Sequence, residues 1–138
     1  MSAATQIKIQ MKLIHALRLN SPAVFGQTIS LVGAGGKTTA LFQLARELLS
    51  EKKLGLQKVI ISSTTHFGAW QTPLADRHIR ANDVRSLATS FNNELRGVIL
   101  VTGETKEDRT QALDAESLLW LREYAKNTNT PLLLEADG

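Results

Sequence analysis

A glycine-rich segment between an apolar run and an amphipathic stretch constrains this chain more than any other feature. Residues 28–32 are short, apolar and β-branched, which is typical of a buried strand. Residues 33–39 follow at once and read Gly-Ala-Gly-Gly-Lys-Thr-Thr. Apolar residues then recur at helical spacing in one stripe formed by Leu41, Leu44, Ala45, Leu48 and Leu49. The chain is therefore predicted to pass from a strand through a glycine loop into a helix.

Each part of this loop suits the binding of a phosphate group. Glycines lack a Cβ, so the backbone turns sharply and approaches a phosphate closely. The loop N–H groups form an anion nest, to which the start of the helix adds its positive dipole end. The Lys37 ammonium is expected to reach the β- and γ-phosphates, and the Thr38 hydroxyl is expected to hold Mg²⁺. The residues expected to contact a nucleotide in this segment are Gly33, Ala34, Gly35, Gly36, Lys37, Thr38 and Thr39.

Two alternatives to this interpretation stay open. The segment also fits a glycine-rich turn with an ordinary exposed lysine, and Thr39 also fits a helix-start residue without a ligand. The pattern departs from G-x-x-x-x-G-K-[ST], because the first glycine of that motif falls on Leu31. It fits a shorter form, G-x-x-G-K-T-T, which resembles the loop of ATP-dependent Mur-type ligases. The sequence also lacks the extra lysine near the start of the loop that is typical of the dimeric iron-protein class of P-loop ATPases. The sequence has no N-K-x-D guanine-reading motif either, so ATP is the expected nucleotide and GTP the alternative.

Strand and helix patterns alternate along the rest of the chain. Further strands are predicted over 59–63, 97–102 and 131–134, and helices over 11–19, 83–91 and from Asp114 to about residue 126. Residues 67–79 are interpreted as loop and short helix, and 104–110 as a polar loop. The strands are near-continuous apolar runs, which is typical of a parallel sheet covered by helices on both faces. The predicted fold class is α/β, a three-layer P-loop NTPase-like domain with a mainly parallel sheet.

A carboxylate ends the last apolar run. Leu132–Leu134 leads into Glu135 and then Asp137. A P-loop requires an acidic partner on a neighbouring strand for Mg²⁺ and its waters, and Mg²⁺ prefers oxygen ligands. We expect Glu135 to join Thr38 at the metal, and Asp137 to orient a water or a substrate. The predicted catalytic residues are thus Lys37, Glu135 and Asp137; the alternative is that the two carboxylates only solvate the end of a strand.

Polar residues also follow the other predicted strands. Thr64 and Thr65 follow the strand over 59–63, at the edge where open parallel sheets bind ligands, and we assign them to the nucleotide site. His66 is a further candidate there, with a surface histidine as the alternative. Lys106 and Arg109 are candidates for binding a phosphate or an acidic partner, or form a solvated loop. His15 and His78 are interpreted as surface or packing residues, since the three histidines lack metal-ligand spacing.

Composition excludes several other classes of function. The chain of 138 residues suits one domain, so residues 1–138 are interpreted as a single P-loop nucleotide-binding domain. It contains no cysteine, which excludes a thiolate metal site and a cysteine nucleophile within these residues. Sixteen basic and thirteen acidic residues are spread along the chain without a basic stripe, so no nucleic-acid partner is expected. No apolar run of about 18 residues occurs, so no membrane partner is expected.

The motifs together resemble those of one family. The loop from Val32 to Thr39, the strand tips at residues 63–66 and 103–104, and Leu134–Gly138 resemble the YqeC family of selenium-dependent hydroxylase accessory proteins, over about Leu13 to Gly138. The resemblance implies a cytoplasmic P-loop protein linked to the maturation of selenium-dependent molybdenum hydroxylases, with such a hydroxylase or its maturation factors as partner. Members usually continue beyond Glu-Ala-Asp-Gly, so we expect the chain to be the N-terminal part of a longer protein.

Three functions follow from these observations and stay open. The first is an ATP- and Mg²⁺-dependent accessory factor that hydrolyses nucleoside triphosphate during hydroxylase maturation. The second is a small-molecule kinase or ligase that acts on a cofactor precursor, which the short loop suggests. The third is a non-catalytic nucleotide-sensing module. The sequence does not indicate an oligomeric state.

Overall fold

A five-stranded parallel sheet forms the centre of the fold in a computed structural model that describes residues 12–32 and 36–136. Its strands in chain order are β1 (Thr28–Leu31), β2 (Lys58–Ser63), β3 (Arg77–Arg80), β4 (Gly97–Thr102) and β7 (Leu132–Glu135). A separate antiparallel hairpin consists of β5 (Thr105–Lys106) and β6 (Arg109–Thr110). The order across the sheet is β1-β7-β2-β4-β3, and every neighbouring pair is parallel. The chain's last strand therefore lies between its first two.

Helices cover both faces of the sheet. They are α1 (Leu13–Ala16), α2 (Lys37–Ser50), α3 (Val84–Ser90) and α4 (Ala115–Asn127), with 3₁₀ turns at Pro22–Val24, Lys52–Leu54 and Ala69–Leu74. Successive side chains of a strand point to opposite faces. Val59 and Ile61 accordingly pack on the α1–α2 side, whereas Ile60 packs on the α3–α4 side. The predicted α/β class with three layers is confirmed.

Helix α2 follows the predicted pattern closely. Its stripe of Leu41, Leu44, Ala45 and Leu48 is buried, and Leu49 is half-buried against the same cluster. The stripe packs mainly on β2, β7 and β4, and so fixes the start of the helix above the carboxyl ends of the strands. The burial of these four side chains against the sheet contributes more to the stability of α2 than its intrinsic helix propensity does.

Three local predictions were wrong. Residues 67–79 contain most of the edge strand β3 in addition to the short helix. The sequence pattern did not predict this strand because Ile79 is the one buried residue in it. The polar loop over 104–110 forms the β5–β6 hairpin. The helix over 11–19 is shorter among the described residues and ends at Ala16, after which Arg18 has a positive φ of 57°. The helix starts predicted at Asp83 and Asp114 are confirmed, and both residues are N-caps whose carboxylates accept from the N–H groups of Ser86 and Ser117.

Strand register brings three polar strand ends together. Glu135 of β7 lies opposite Leu31 of β1 on one side and opposite Ser63 of β2 on the other. The residue after β1 leads toward the glycine loop, and the residues after β2 are the threonines. The carboxyl edge of the sheet therefore places the end of β1, the Glu135 carboxylate and the end of β2 side by side. In the part of the chain that the structure describes, no helix is long and apolar enough to cross a membrane.

Candidate active site at the carboxyl edge of the sheet

Gly36 ends the glycine loop with a backbone that suits its residue type. It is the N-cap of α2 and has a φ of 72°, in the left-handed region that glycine adopts at no steric cost. Its exposed backbone opens to space, since a Cβ there would meet nothing within 4 Å. The predicted contact residues Gly33, Ala34 and Gly35 lie outside the described residues, as does Asp137. Thr39 is exposed on the first turn of α2.

The start of α2 is tied to the end of β7 by one short hydrogen bond. The Thr38 hydroxyl donates to Oε1 of Glu135 across 2.5 Å. Glu135 is only 8% exposed although it is a carboxylate, and such buried charges are normally paired or hydrogen-bonded. The two residues predicted to share a metal ion are therefore in direct contact.

Lys37, the first residue of α2, contacts the same strand end. Its ammonium Nζ donates to the backbone carbonyl of Ala136 at 3.3 Å, one residue after Glu135. The backbone at this point is fixed on both sides, because the N–H of Ala136 donates to Leu31 and that of Thr64 donates to the carbonyl of Glu135. The lysine, the hydroxyl and the carboxylate are thus held on elements with defined hydrogen bonds.

The predicted threonines lie beside this group and use their polar atoms differently. Thr64 is exposed and is linked to Glu135 through its backbone N–H. Thr65 is half-buried, its N–H donates to the Ser63 hydroxyl at 3.0 Å, and its own hydroxyl lies 3.2 Å from that oxygen. The side chain of Thr65 is therefore engaged in a local turn that fixes the end of β2.

A cavity of about 340 Å³ opens next to the Thr38–Glu135 pair. Of the residues predicted as candidates, it brings His66 and Arg109 to this pair. Lys106 lines a different cavity, beyond the end of β4, although it pairs with Arg109 in the hairpin. The complete lining is Thr38, His66, Gly68, Trp70, Gln71, Asp108, Arg109 and Glu135.

Four of these lining residues, Gly68 among them, were not predicted from the sequence. Trp70 and Gln71 lie in a segment without hydrophobic periodicity, and Asp108 was treated only as part of a charged loop. One signal was present: Trp70 lies in a segment without hydrophobic periodicity, so no predicted helix or strand would bury it. The contact between this segment and the hairpin is long-range, and no local pattern indicates it.

The two remaining histidines stay away from the site. His78 on the edge strand β3 places Nε2 2.8 Å from the Thr102 hydroxyl, and burial first and Arg80 second lower its pKa. His15 is exposed, with Nε2 3.9 Å from a carboxylate oxygen of Glu51. Both positions agree with the predicted packing and surface roles.

The donor set at the strand end fits Mg²⁺ rather than a soft metal. Thr38 and Glu135 offer a hydroxyl and a carboxylate oxygen, and Mg²⁺ typically takes one or two protein oxygens together with phosphates and waters. Residues 12–32 and 36–136 contain no cluster of three or more His, Asp or Glu residues that could hold a metal ion by themselves. The arrangement therefore suits a metal that arrives with a phosphate ligand.

Comparison with known proteins identifies the family of this chain. No curated protein and no solved structure was found to match it. The model of one family, described as YqeC protein, matches residues 29–138. The match starts in β1 and spans the glycine loop, both threonines and Glu135, which agrees with the resemblance noted in the sequence. The chain therefore belongs to the YqeC family.

Proposed function

We propose that this chain is a P-loop nucleotide-binding protein that uses ATP and Mg²⁺ as an accessory factor in the maturation of a selenium-dependent molybdenum hydroxylase. Membership of the YqeC family suggests the accessory role to a selenium-dependent hydroxylase. The corresponding partner is such a hydroxylase or one of its maturation factors. The corresponding location is the cytoplasm. The nucleotide and the metal are inferred from the residues at the carboxyl edge of the sheet.

The observation that supports the nucleotide most strongly is the contact between Thr38 and Glu135. In P-loop proteins the threonine after the lysine and an acidic residue on a neighbouring strand hold Mg²⁺, and here these residue types lie 2.5 Å apart. In this proposal Thr38 and Glu135 hold the metal, which neutralises charge on the β- and γ-phosphates. Lys37 binds the same phosphates, and the N–H groups at the start of α2 orient them. Asp137 would orient a water or an acceptor.

A specific observation favours phosphoryl transfer as a second candidate function. The cavity beside Thr38 and Glu135 has room for a small molecule, and its polar lining includes Arg109. Hydrolysis alone needs space for one water, so a cavity of about 340 Å³ favours a larger acceptor. A non-catalytic sensing module remains the third candidate, and it predicts nucleotide binding without turnover.

Thermal unfolding in the presence of nucleotides tests the proposal. A ligand that binds only the folded state at 100 times its Kd stabilises a protein by about 2.7 kcal/mol, which raises the Tm of a domain of this size by about 10 °C. We expect this shift with ATP and Mg²⁺, a smaller one with ATP and EDTA, and none for Lys37→Ala. The matched control is Lys53→Ala, which removes an exposed lysine beyond the far end of α2.

The thermal response tests nucleotide binding, and a measurement of turnover separates the three candidate functions. A wild-type Tm that does not respond to ATP or GTP would contradict nucleotide binding. An equal response in Lys37→Ala would place the nucleotide elsewhere. Release of phosphate stimulated by a partner protein supports the first candidate, consumption of ATP with a small acceptor supports the second, and tight binding without turnover supports the third.

A further inference from the structure

A tryptophan stands at the rim of the cavity with most of its surface in solvent. Trp70 is 76% exposed, which is unusual for the largest apolar side chain. Its indole lies against the backbone of Gly68, because a Cβ on that glycine would come within 2.5 Å of the indole nitrogen. The Gly68 N–H donates to the side chain of Gln71 at 2.9 Å, which fixes the same turn. The five-membered ring of the indole is therefore packed close to Gly68, while most of the Trp70 side chain stays exposed.

The β5–β6 hairpin, which also lines the cavity, is hydrogen-bonded to this turn. The β5–β6 hairpin joins the segment after β2 through hydrogen bonds from Ala69 N–H to the Asp108 carbonyl at 2.7 Å and from Thr110 N–H to the Phe67 carbonyl at 2.9 Å. A β-bridge between Gly68 and Arg109 continues the same pairing. Trp70 and Arg109 thus border one cavity on two segments that are hydrogen-bonded to each other.

The cavity lining carries one guanidinium, Arg109, and two carboxylates, Asp108 and Glu135, of which Glu135 already accepts a hydrogen bond from Thr38. Arg109 is exposed, and among residues 12–32 and 36–136 its guanidinium has no ion pair and no hydrogen-bond partner. Guanidinium groups bind carboxylates and phosphates through paired N–H donors, and indole rings stack on flat aromatic rings. The cavity volume of about 340 Å³ accommodates one such ring with its substituent.

We propose that this cavity binds a second small-molecule ligand: a flat aromatic ring that carries a carboxylate or phosphate, with the ring on Trp70 and the anion on Arg109. Its assignment as an acceptor rests on the proposed function. If Thr38 and Glu135 held Mg²⁺, the ion would neutralise charge on the terminal phosphates of the nucleotide, and the cavity that these two residues line would lie at that end of it. The nucleotide base lies at the other end of the triphosphate, and we assign the cavity to the acceptor rather than to the base.

Three related compounds test the ligand chemistry in the full chain. Orotate is flat and anionic, uracil is flat and neutral, and dihydroorotate is anionic but puckered. We expect orotate to bind with a Kd of about 1 mM or tighter, as suits a fragment of this size, and the other two to bind about tenfold more weakly. The site is read from the indole N–H signals in ¹⁵N NMR, which number two and are assigned with Trp120→Phe. The signal of Trp70 should move on titration and that of Trp120 should not.

Two variants and one control test the residues. Arg109→Ala should weaken orotate about tenfold, because the anion loses its charged donor. Trp70→Ala should weaken it about five- to tenfold through loss of stacking. Lys106→Ala is the matched control, since this residue pairs with Arg109 across the hairpin but lines another cavity, and it should leave the Kd unchanged. Absence of orotate binding, equal binding of the three compounds, or equal loss in Arg109→Ala and Lys106→Ala would overturn the proposal.

A second titration separates this proposal from the nucleotide proposal. The thermal response to ATP and Mg²⁺ should survive in Arg109→Ala and disappear in Lys37→Ala, whereas orotate binding should survive in Lys37→Ala. Orotate binding in a protein that ignores ATP would leave the cavity ligand standing and overturn its role as acceptor. If the Trp70 signal moves with ATP and Mg²⁺ but not with tripolyphosphate and Mg²⁺, the base occupies the cavity and the acceptor assignment is wrong.

Discussion

Replacing Thr38 by valine isolates the contact between Thr38 and Glu135, on which the proposed metal site depends. Valine keeps the shape of threonine but lacks the hydroxyl, so Glu135 loses its donor at 2.5 Å without a large change in packing. A hydrogen bond to a charged group contributes about 1.5–3 kcal/mol. Water from the adjoining cavity replaces part of it, and we expect the lower end, about 1.5 kcal/mol, for the loss in the free energy of unfolding. The Tm then falls by about 6 °C.

Urea denaturation of a double-mutant cycle measures this contact. The proteins are wild type, Thr38→Val, Glu135→Gln and the double variant, with Thr38→Ser as the control that keeps the hydroxyl. We expect Thr38→Ser to lie within about 0.5 kcal/mol of wild type. The coupling between the two positions should be about 1 kcal/mol, as found for residues that share a hydrogen bond. Additive losses would refute the contact as a source of stability.

The same variant tests the metal. If Thr38 is a ligand of Mg²⁺, Thr38→Val removes most of the gain in ATP affinity that Mg²⁺ provides and leaves the affinity measured with EDTA nearly unchanged. Calorimetric titration with ATP under both conditions gives the two affinities. Equal losses with and without Mg²⁺ would contradict a role of the hydroxyl in metal binding.

Three further changes have distinct expected results. Glu135→Gln should retain ATP binding but lose turnover or Mg²⁺ dependence, and an unchanged Mg²⁺ titration of phosphate release would leave Glu135 only a structural role as the acceptor of the Thr38 hydroxyl. Asp76 accepts from Arg46 and from the N–H of Val98, each at 2.7 Å, and the Arg46 hydrogen bond holds its pKa below the usual range. Because the folded pKa is lowered, this stability is present above about pH 4 and is lost as the pH falls through the folded pKa. Asp76→Asn should cost about 1 kcal/mol at pH 7, a difference that narrows below pH 4 in urea titrations; a constant difference would contradict it. Gly97→Ala, with φ of 89° and its new Cβ against Asp76, should cost about 2 kcal/mol by the same assay, and a wild-type stability would refute the strain.

The sheet and its main helices were predictable because their side chains carry the packing. Continuous apolar runs such as Val98–Val101 are buried on both faces, and the α2 stripe faces the sheet, so hydrophobic pattern and structure agree. Strand β3 escaped prediction because an edge strand needs little apolar surface, and Ile79 is its one fully buried side chain. The hairpin escaped because strands of two residues leave no periodic pattern.

The candidate site was likewise predictable from the sequence only in part. The meeting of Thr38 and Glu135 was predictable, because the carboxyl ends of neighbouring parallel strands share one edge of the sheet. The wall formed by Trp70 was not, because it depends on hydrogen bonds between Ala69 and Asp108, 39 positions apart and in segments without periodicity. Local pattern identifies residues that lie on regular elements, whereas the approach of two irregular segments is decided by tertiary contacts.

Mapping the nucleotide by ¹⁵N NMR tests the central claim most directly. Titration with ATP and Mg²⁺ should move the backbone amide signals of Gly36, Lys37, Thr38 and Thr64 most, because these N–H groups lie at the carboxyl edge of the sheet. A second cavity of about 340 Å³ lies at the opposite edge and is bordered by Gly55. The account predicts little change there. Largest shifts around Gly55, with Lys37 and Thr38 unmoved, would contradict it.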